Sequence, residues 1–200
     1  MDTLTYLSNK FNLPSSIDVD LKPTIIPNFG RHELAELFAE LKFKYGAEIG
    51  VEQGAYSEIL CKANPDMKLF AVDAWTVYRG YKDHTRQEKL DAFYKIARKR
   101  LAAYKCEIVK KFSLEAVNNF ADESLDFVYI DANHDFLNVT NDLHAWSRKV
   151  KKGGIIAGHD YYKENMPSHV HVPYVLDGYT KAYNIRPWFI FEESWMFVKQ

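Results

Sequence analysis

The chain has 200 residues, 47% hydrophobic and 26% charged, the make-up of an ordinary soluble globular protein that fits one domain. Its 26 basic and 27 acidic residues nearly cancel, so no strong field favours nucleic acid or an anionic membrane. With only Cys61 and Cys106, a disulfide framework and a Cys-rich zinc site are both excluded, and the pair reads as buried free thiols in a reducing compartment. The start, Met1-Asp2-Thr3-Leu4, has no basic n-region, and no apolar run is long enough to span a membrane. The expectation is a cytoplasmic protein whose partner is a small molecule. Basic clusters at Arg98-Lys99-Arg100 and from Arg148 to Lys152 read as a solvated helix face and a loop.

Residues 1 to about 30 form a polar lead-in with Pro14, Pro23 and Pro27. Arg31 to Lys44 carries Leu34, Leu37, Phe38 and Leu41 at helical spacing. Tyr45 to Val51 reads as a buried strand, Ser57 to Ala63 as a helix ended by Asn64-Pro65-Asp66, and Lys68 to Asp73 as a second strand. An aromatic loop, Trp75 to Thr85, precedes a long amphipathic helix from Arg86 to Tyr104. Glu107 to Lys111 is a third strand, after which Ser113 is expected to cap a short helix. Leu125 to Asp131 is an apolar strand, and Asn138 to Val150 a helix with Val139, Leu143 and Trp146 on one face. Lys152-Gly153-Gly154 reads as a tight turn before a strand at Ile155 to Gly158. A helix over Val172 to Tyr183 is followed by Trp188–Phe191 and Trp195–Val198, a terminal hairpin. Strands alternating with helices imply a mainly parallel sheet covered on both faces. The fold class is therefore α/β, a Rossmann-like, doubly wound sheet of seven strands with a C-terminal antiparallel hairpin, in a single domain over residues 1–200. The core would occupy 45–200, behind a lead-in and helix at 1–44.

Glu48-Ile49-Gly50-Val51-Glu52-Gln53-Gly54 is the most telling stretch. Two glycines let the backbone approach a ligand closely, and a helix beginning just beyond points free N–H groups at it. Asp73, ending an apolar strand about twenty residues on, is placed to grip the hydroxyls of a ribose. A phosphate ligand fits less well. There is no Gly-Lys-Ser/Thr and no full G-x-G-x-x-G, and Glu48 and Glu52 would repel a pyrophosphate.

Three stretches carry a family resemblance: Ala47 through Ser57, then Phe70-Ala71-Val72-Asp73-Ala74-Trp75, then Ser124-Leu125-Asp126-Phe127-Val128-Tyr129-Ile130-Asp131-Ala132-Asn133-His134. The likeness continues through Asp142-Leu143, Trp146 and Gly153 to Tyr161. The chain resembles the class I S-adenosylmethionine-dependent methyltransferases, and within them the group of catechol and macrolide-sugar O-methyltransferases. The resemblance implies S-adenosylmethionine as cofactor. The Gly50 to Gly54 turn would pass under its methionine and ribose, with Tyr56 and Ser57 opening the helix behind. Glu48 would face the ammonium, and Asp73 would take the ribose hydroxyls. Ala74 and Trp75 would flank the adenine, and Ser113 would sit near its edge. Trp75 reads equally well as a packing tryptophan.

Asp131 ends the fourth strand, and Asp160 ends the fifth beside His159. Neighbouring strand ends would bring the three side chains together, and two carboxylates with an imidazole compete unless a cation lies between them. Asp131, His159 and Asp160 are therefore the candidate metal ligands. In the metal-using relatives these positions are acids or amides. An imidazole among them tolerates Mn²⁺, Fe²⁺ or Zn²⁺ better than Mg²⁺. The alternative is that Asp160 caps a turn and His159 bonds backbone. His134 and Asp131 are the candidate catalytic residues, Asp131 also standing among the expected cofactor contacts: the resemblance gives the His134 position to a general base, and an imidazole titrates near neutral pH. A loop histidine bonding Asp131 is the competing reading. His169 and His171 read as exposed loop histidines. The expected activity is metal-assisted O-methylation of a small hydroxylated acceptor, a sugar or phenol. A metal-independent methyltransferase on nitrogen or another acceptor and a non-catalytic nucleoside-binding protein remain open beside it. The N-terminal segment and the last hairpin are candidate surfaces for pairing with a second copy.

Overall fold

The computed structural model describes residues 2–13, 22–82, 84–162, 164 and 166–200; Pro14 and the lead-in around it lie outside them. The chain folds as one eight-stranded sheet between two layers of helices. In chain order the elements are α1 (Thr3–Lys10), β1 (Thr24–Ile25), α2 (Arg31–Glu40), β2 (Tyr45–Ile49), α3 (Ala55–Ala63), β3 (Lys68–Asp73), α4 (Gln87–Leu101), β4 (Cys106–Lys110), α5 (Ser113–Ala116), β5 (Leu125–Ile130), α6 (Phe136–Ser147), β6 (Val150–Gly158), α7 (Val172–Ala182), β7 (Trp188–Phe191) and β8 (Ser194–Val198). Spatial order is β1-β7-β8-β6-β5-β2-β3-β4. All neighbours are parallel except β8, which runs antiparallel to both β6 and β7. Strands β2 to β8 are the seven expected. The eighth, β1, is two residues paired to Phe189 and Ile190, too short to leave a periodic signal.

Central strands of such a sheet are covered on both faces, so they read as continuous apolar runs. Of the six residues of β5, five are buried. On one face Leu7 of α1, Leu34 and Phe38 of α2, and Leu60 of α3 pack against Phe127 and Phe189. On the other, Val139, Leu143 and Trp146 of α6 and Leu176 of α7 pack against Val128 and Ile156. Helix α1 was not legible in the polar lead-in; Asp2 caps it by accepting from Thr5 N–H at 2.9 Å, and Leu7 anchors it with no exposure at all. The expected turn at Gly153-Gly154 is instead an irregularity inside β6, where the register against β5 shifts and Gly153 takes φ +77°. Ser113 is the first residue of α5 rather than its cap, because its hydroxyl is engaged elsewhere. Cys61 and Cys106 are free, and a hydrogen bond between their thiols, together with burial, pushes the Cys106 thiol pKa up. Among the described residues no helix is long and apolar enough to cross a membrane.

Parallel strands that all end on one edge deliver their following loops to one place. Here that edge collects Gly50, Asp73, Phe112, Asp131 and His159.

Candidate active site

A cavity of about 540 Å³ opens along this edge, from Arg31, Glu48 and Asp131 at one end to Phe112, Ser113 and Asp142 at the other. That volume lies in the range of small-molecule sites. The turn after β2 forms its floor. Gly50 has φ +92°, and a Cβ there would fall 2.0 Å from the carbonyl oxygen of Asp131. A side chain would therefore be strained by its backbone and blocked by the neighbouring loop. Gly54, at φ +75°, is the residue before α3 and faces Leu101 and Ala97. It shapes the turn and does not line the cavity.

Asp73 organises this turn. Its Oδ2 accepts from the N–H groups of Val51 and Glu52 at 2.9 and 3.0 Å, and its Oδ1 from Trp75 N–H at 2.8 Å. The carboxylate thus ties the ends of β2 and β3 together, leaving one lone pair on Oδ1, and Asp73 lines the cavity. Trp75 is both a wall and a core residue. It is 1% exposed, packs on Leu90 and Ala97, and donates from Nε1 to Glu52 O at 2.7 Å. Ala74 lines the same wall.

Glu48 is 2% exposed. Burial drives its pKa well above the usual carboxylate range, against the opposing hydrogen bond donated by Ser57 Oγ. Ser57 is thus a partner of Glu48 within the interior, whereas Glu48 and Tyr56 line the cavity. At the far end Trp146 Nε1 donates to Ser113 Oγ at 2.8 Å, and Ser113 Oγ donates to Asp142 Oδ1. Asp142 is 5% exposed. Burial raises its pKa to about 6, with Ser113 opposing and the charge of Asp135 adding to the rise.

The acidic residues and histidines meet beside Asp131. His134 Nε2 lies 2.7 Å from Asp160 Oδ2 and 3.5 Å from Asp131 Oδ1. Among the described residues, Asp131, His134 and Asp160 form the group whose ligand atoms all lie within 4.8 Å of one another. His159 is outside it: its Nδ1 sits 3.3 Å from Asp160 Oδ1. The reason is local. His159 and Asp160 lie past the end of β6, where Asp160 takes φ +61° and turns its carboxylate so that Oδ2 meets His134 and Oδ1 meets His159, while the loop after β5 brings His134 round to both acids. Burial acts to raise the Asp160 pKa, but its contacts with His134 and His159 outweigh that and hold it far below the ordinary range. For His159 burial acts downward, and the Asp160 hydrogen bond with the charges of Asp131 and Asp160 prevails, raising it.

Aromatic residues wall the opening. Tyr78 and Tyr81 stack with centroids 5.0 Å apart, Phe112 meets Tyr78 edge-on, and Asn133 Nδ2 donates to Tyr78 Oη at 2.9 Å. Tyr161 does not join them; it is turned into the core, donating to Asp177 at 2.9 Å.

Sequence reasoning missed Arg31, Asp142 and His171. Asp142 had a signal: it occupies the i+3 position of the apolar stripe Val139, Leu143, Trp146, where an acid is out of place. His171 had none. Its N–H donates to His134 O at 2.7 Å and its Nδ1 accepts from Phe136 N–H at 2.9 Å. It thereby tethers the loop that carries His134 from 37 residues further along the chain.

A methyltransferase-domain family model matches residues 47–161, more than half the chain. The chain belongs to the methyltransferase domain family. Among solved structures it is similar to the O-methyltransferase from Bacillus cereus in complex with SAH, with 16% identity and a TM-score of 0.60 over 98% of this chain and 89% of that one. It is also similar to the O-methyltransferase TomG from Streptomyces achromogenes, involved in tomaymycin synthesis and solved with SAM, with 16% identity and a TM-score of 0.59 over 100% of this chain and 91% of that one. No curated protein matches it by sequence. Family and fold agree: the chain is a methyltransferase with the α/β fold of these solved O-methyltransferases.

Proposed function

We propose that this methyltransferase acts on a hydroxyl oxygen of a small acceptor, a sugar or phenol. The observation that carries the reading is one continuous cavity joining the Gly50–Asp73 turn to the Asp131–His134–Asp160 cluster. S-Adenosylmethionine, when bound, supplies an electrophilic methyl group on a positively charged sulfur. The residues suited to holding it are Gly50 beneath, Asp73 toward the ribose, Ala74 and Trp75 along the base, and Ser113 at the base edge. The stacked tyrosines Tyr78 and Tyr81 give the acceptor a flat apolar wall.

His134 is the candidate general base. With one ring nitrogen held by Asp160 at 2.7 Å, the other carries the lone pair that takes the hydroxyl proton, and the carboxylate stabilises the imidazolium formed. Asp160 and the His171 tether orient the ring, so their work is done before the acceptor arrives.

A second reading rests on the same cluster. Two carboxylates and an imidazole with ligand atoms within 4.8 Å of one another fit a divalent cation such as Mn²⁺ or Mg²⁺. Asp131, His134 and Asp160 would hold it, and it would polarise the acceptor hydroxyl. A cation held by Nε2 of His134 would leave the ring's one proton on Nδ1 and no lone pair for the acceptor's proton, so His134 cannot serve both readings.

A screen of sugars and phenols for methyl uptake from labelled donor tests the proposal. Transfer to nitrogen acceptors alone would make it an N-methyltransferase; donor binding without any transfer would make it a nucleoside-binding protein. A methyltransferase of this kind works in a reducing, cytoplasmic compartment, which suits the free thiols Cys61 and Cys106.

A further inference from the structure

The cavity has one guanidinium, and nothing in the family motifs assigns it. Arg31 opens α2, outside the matched residues 47–161. Its side chain is 41% exposed, and Nη1 lies 3.8 Å from Asp131 Oδ2 while Cζ lies 5.4 Å from the Tyr56 ring centroid. Tyr56 Oη in turn donates to Arg31 O at 3.2 Å, which pins the start of α2 against the start of α3. At 3.8 Å the Arg31–Asp131 pair is looser than a fork-to-carboxylate hydrogen bond. Both partners keep donors and lone pairs for a third group.

Position along the cavity says what that group is. Arg31 faces the end of β5, whereas Ser113 follows β4, three strands away in the order β5-β2-β3-β4. At a strand spacing of about 4.8 Å that is about 14 Å, the reach of a nucleoside extended by an amino-acid tail. With the base at Ser113 and the ribose at Asp73, the tail arrives between Arg31 and Asp131. A tail bearing one carboxylate and one ammonium meets one cation and one anion. Glu48, the other acid lining that end, is 2% exposed and already accepts a hydrogen bond from Ser57.

We propose that Arg31 binds the carboxylate of the methyl donor's amino-acid tail. The assignment rests on the donor orientation described above. A carboxylate on the acceptor is the rival source of the same chemistry.

The test is calorimetry of wild type, Arg31→Gln and Arg31→Lys with two probes, S-adenosylhomocysteine and 5′-methylthioadenosine, which lacks the amino-acid tail. The expected result is a loss of about ten- to a hundredfold in S-adenosylhomocysteine affinity for Arg31→Gln, the scale of hydrogen bonds to a charged group. Arg31→Lys should lose less, and methylthioadenosine should bind all three proteins equally. Equal loss for both probes means the change disturbed the fold and overturns the assignment. Unchanged S-adenosylhomocysteine affinity overturns it too and leaves Arg31 to the acceptor. Wild-type protein that binds methylthioadenosine at least as tightly as S-adenosylhomocysteine overturns the donor orientation itself, whatever the variants do.

Discussion

Asp142 offers a measurement in which the sign, the size and the pH window all follow from one side chain. Burial lifts its carboxyl from 3.8 to about 6. The folded chain therefore holds this proton more tightly than the unfolded chain does. Stability from the group is fully present below pH 3.8 and is lost as pH rises through about 6. At about 1.4 kcal/mol per tenfold change in proton affinity, the loss comes to ~3 kcal/mol. Asp142→Asn keeps an oxygen to accept from Ser113 and removes the charge. The variant should match wild type near pH 4 and exceed it by ~3 kcal/mol at pH 7, in urea titrations run at several pH values and compared pairwise. The difference between the two proteins isolates this group from other carboxylates. A gap that stays constant between pH 4 and pH 7 would show that Asp142 is not buried in the way described. A variant less stable at every pH would show that the Ser113 contact needs a carboxylate.

The other expectations concern binding and turnover. Asp73→Ala should weaken S-adenosylhomocysteine binding by about 1.5–3 kcal/mol, read by calorimetry; unchanged affinity would leave Asp73 a scaffold for the Val51–Glu52 turn alone. Gly50→Ala should destabilise the fold by about 3 kcal/mol or more, since the new methyl would lie 2.0 Å from a backbone oxygen; a soluble variant with an unaltered melting temperature would refute the geometry. His134→Ala should lower turnover by roughly 10²–10⁴-fold with cofactor affinity unchanged, and turnover should survive exhaustive chelation. Loss on chelation with recovery in Mn²⁺ or Mg²⁺ would assign His134 to a cation instead. His171→Ala should cut turnover more than it changes cofactor affinity, and equal effects on both would reduce it to a structural contact.

What was legible in the sequence was what local chemistry imposes. Lys68–Asp73 and Trp188–Phe191 match the structure to the residue, because apolar β-formers there run straight into a turn signal. The glycine turn and the acid that ends β3 could likewise be paired by their spacing. Less local features could not. Helix α1 depends on Leu7 finding Phe189 across the fold, so its own polar composition says little. His159 reads as a ligand because, with Asp160, it ends the strand beside the one that Asp131 ends. Which atoms converge is decided by the left-handed turn at Asp160 and by the loop between β5 and α6, which turns His134 back toward both acids.

The same limit explains why two charged groups of the cavity, Arg31 and Asp142, were given no role from the sequence, although Asp142 lies within the resembling stretches. Neither lies in a strand-end loop of a parallel fold, where sequence reasoning looks for ligands. Arg31 is delivered by a helix that precedes the first central strand, and Asp142 by the buried face of a helix that follows the fourth. Each reaches the site because its helix packs on the sheet. Their charges are therefore set by tertiary packing, and each can change without disturbing the Gly50–Asp73 turn. Variation at these two positions should tune how tightly the ends of the ligand are held, while the turn itself fixes where the ligand sits.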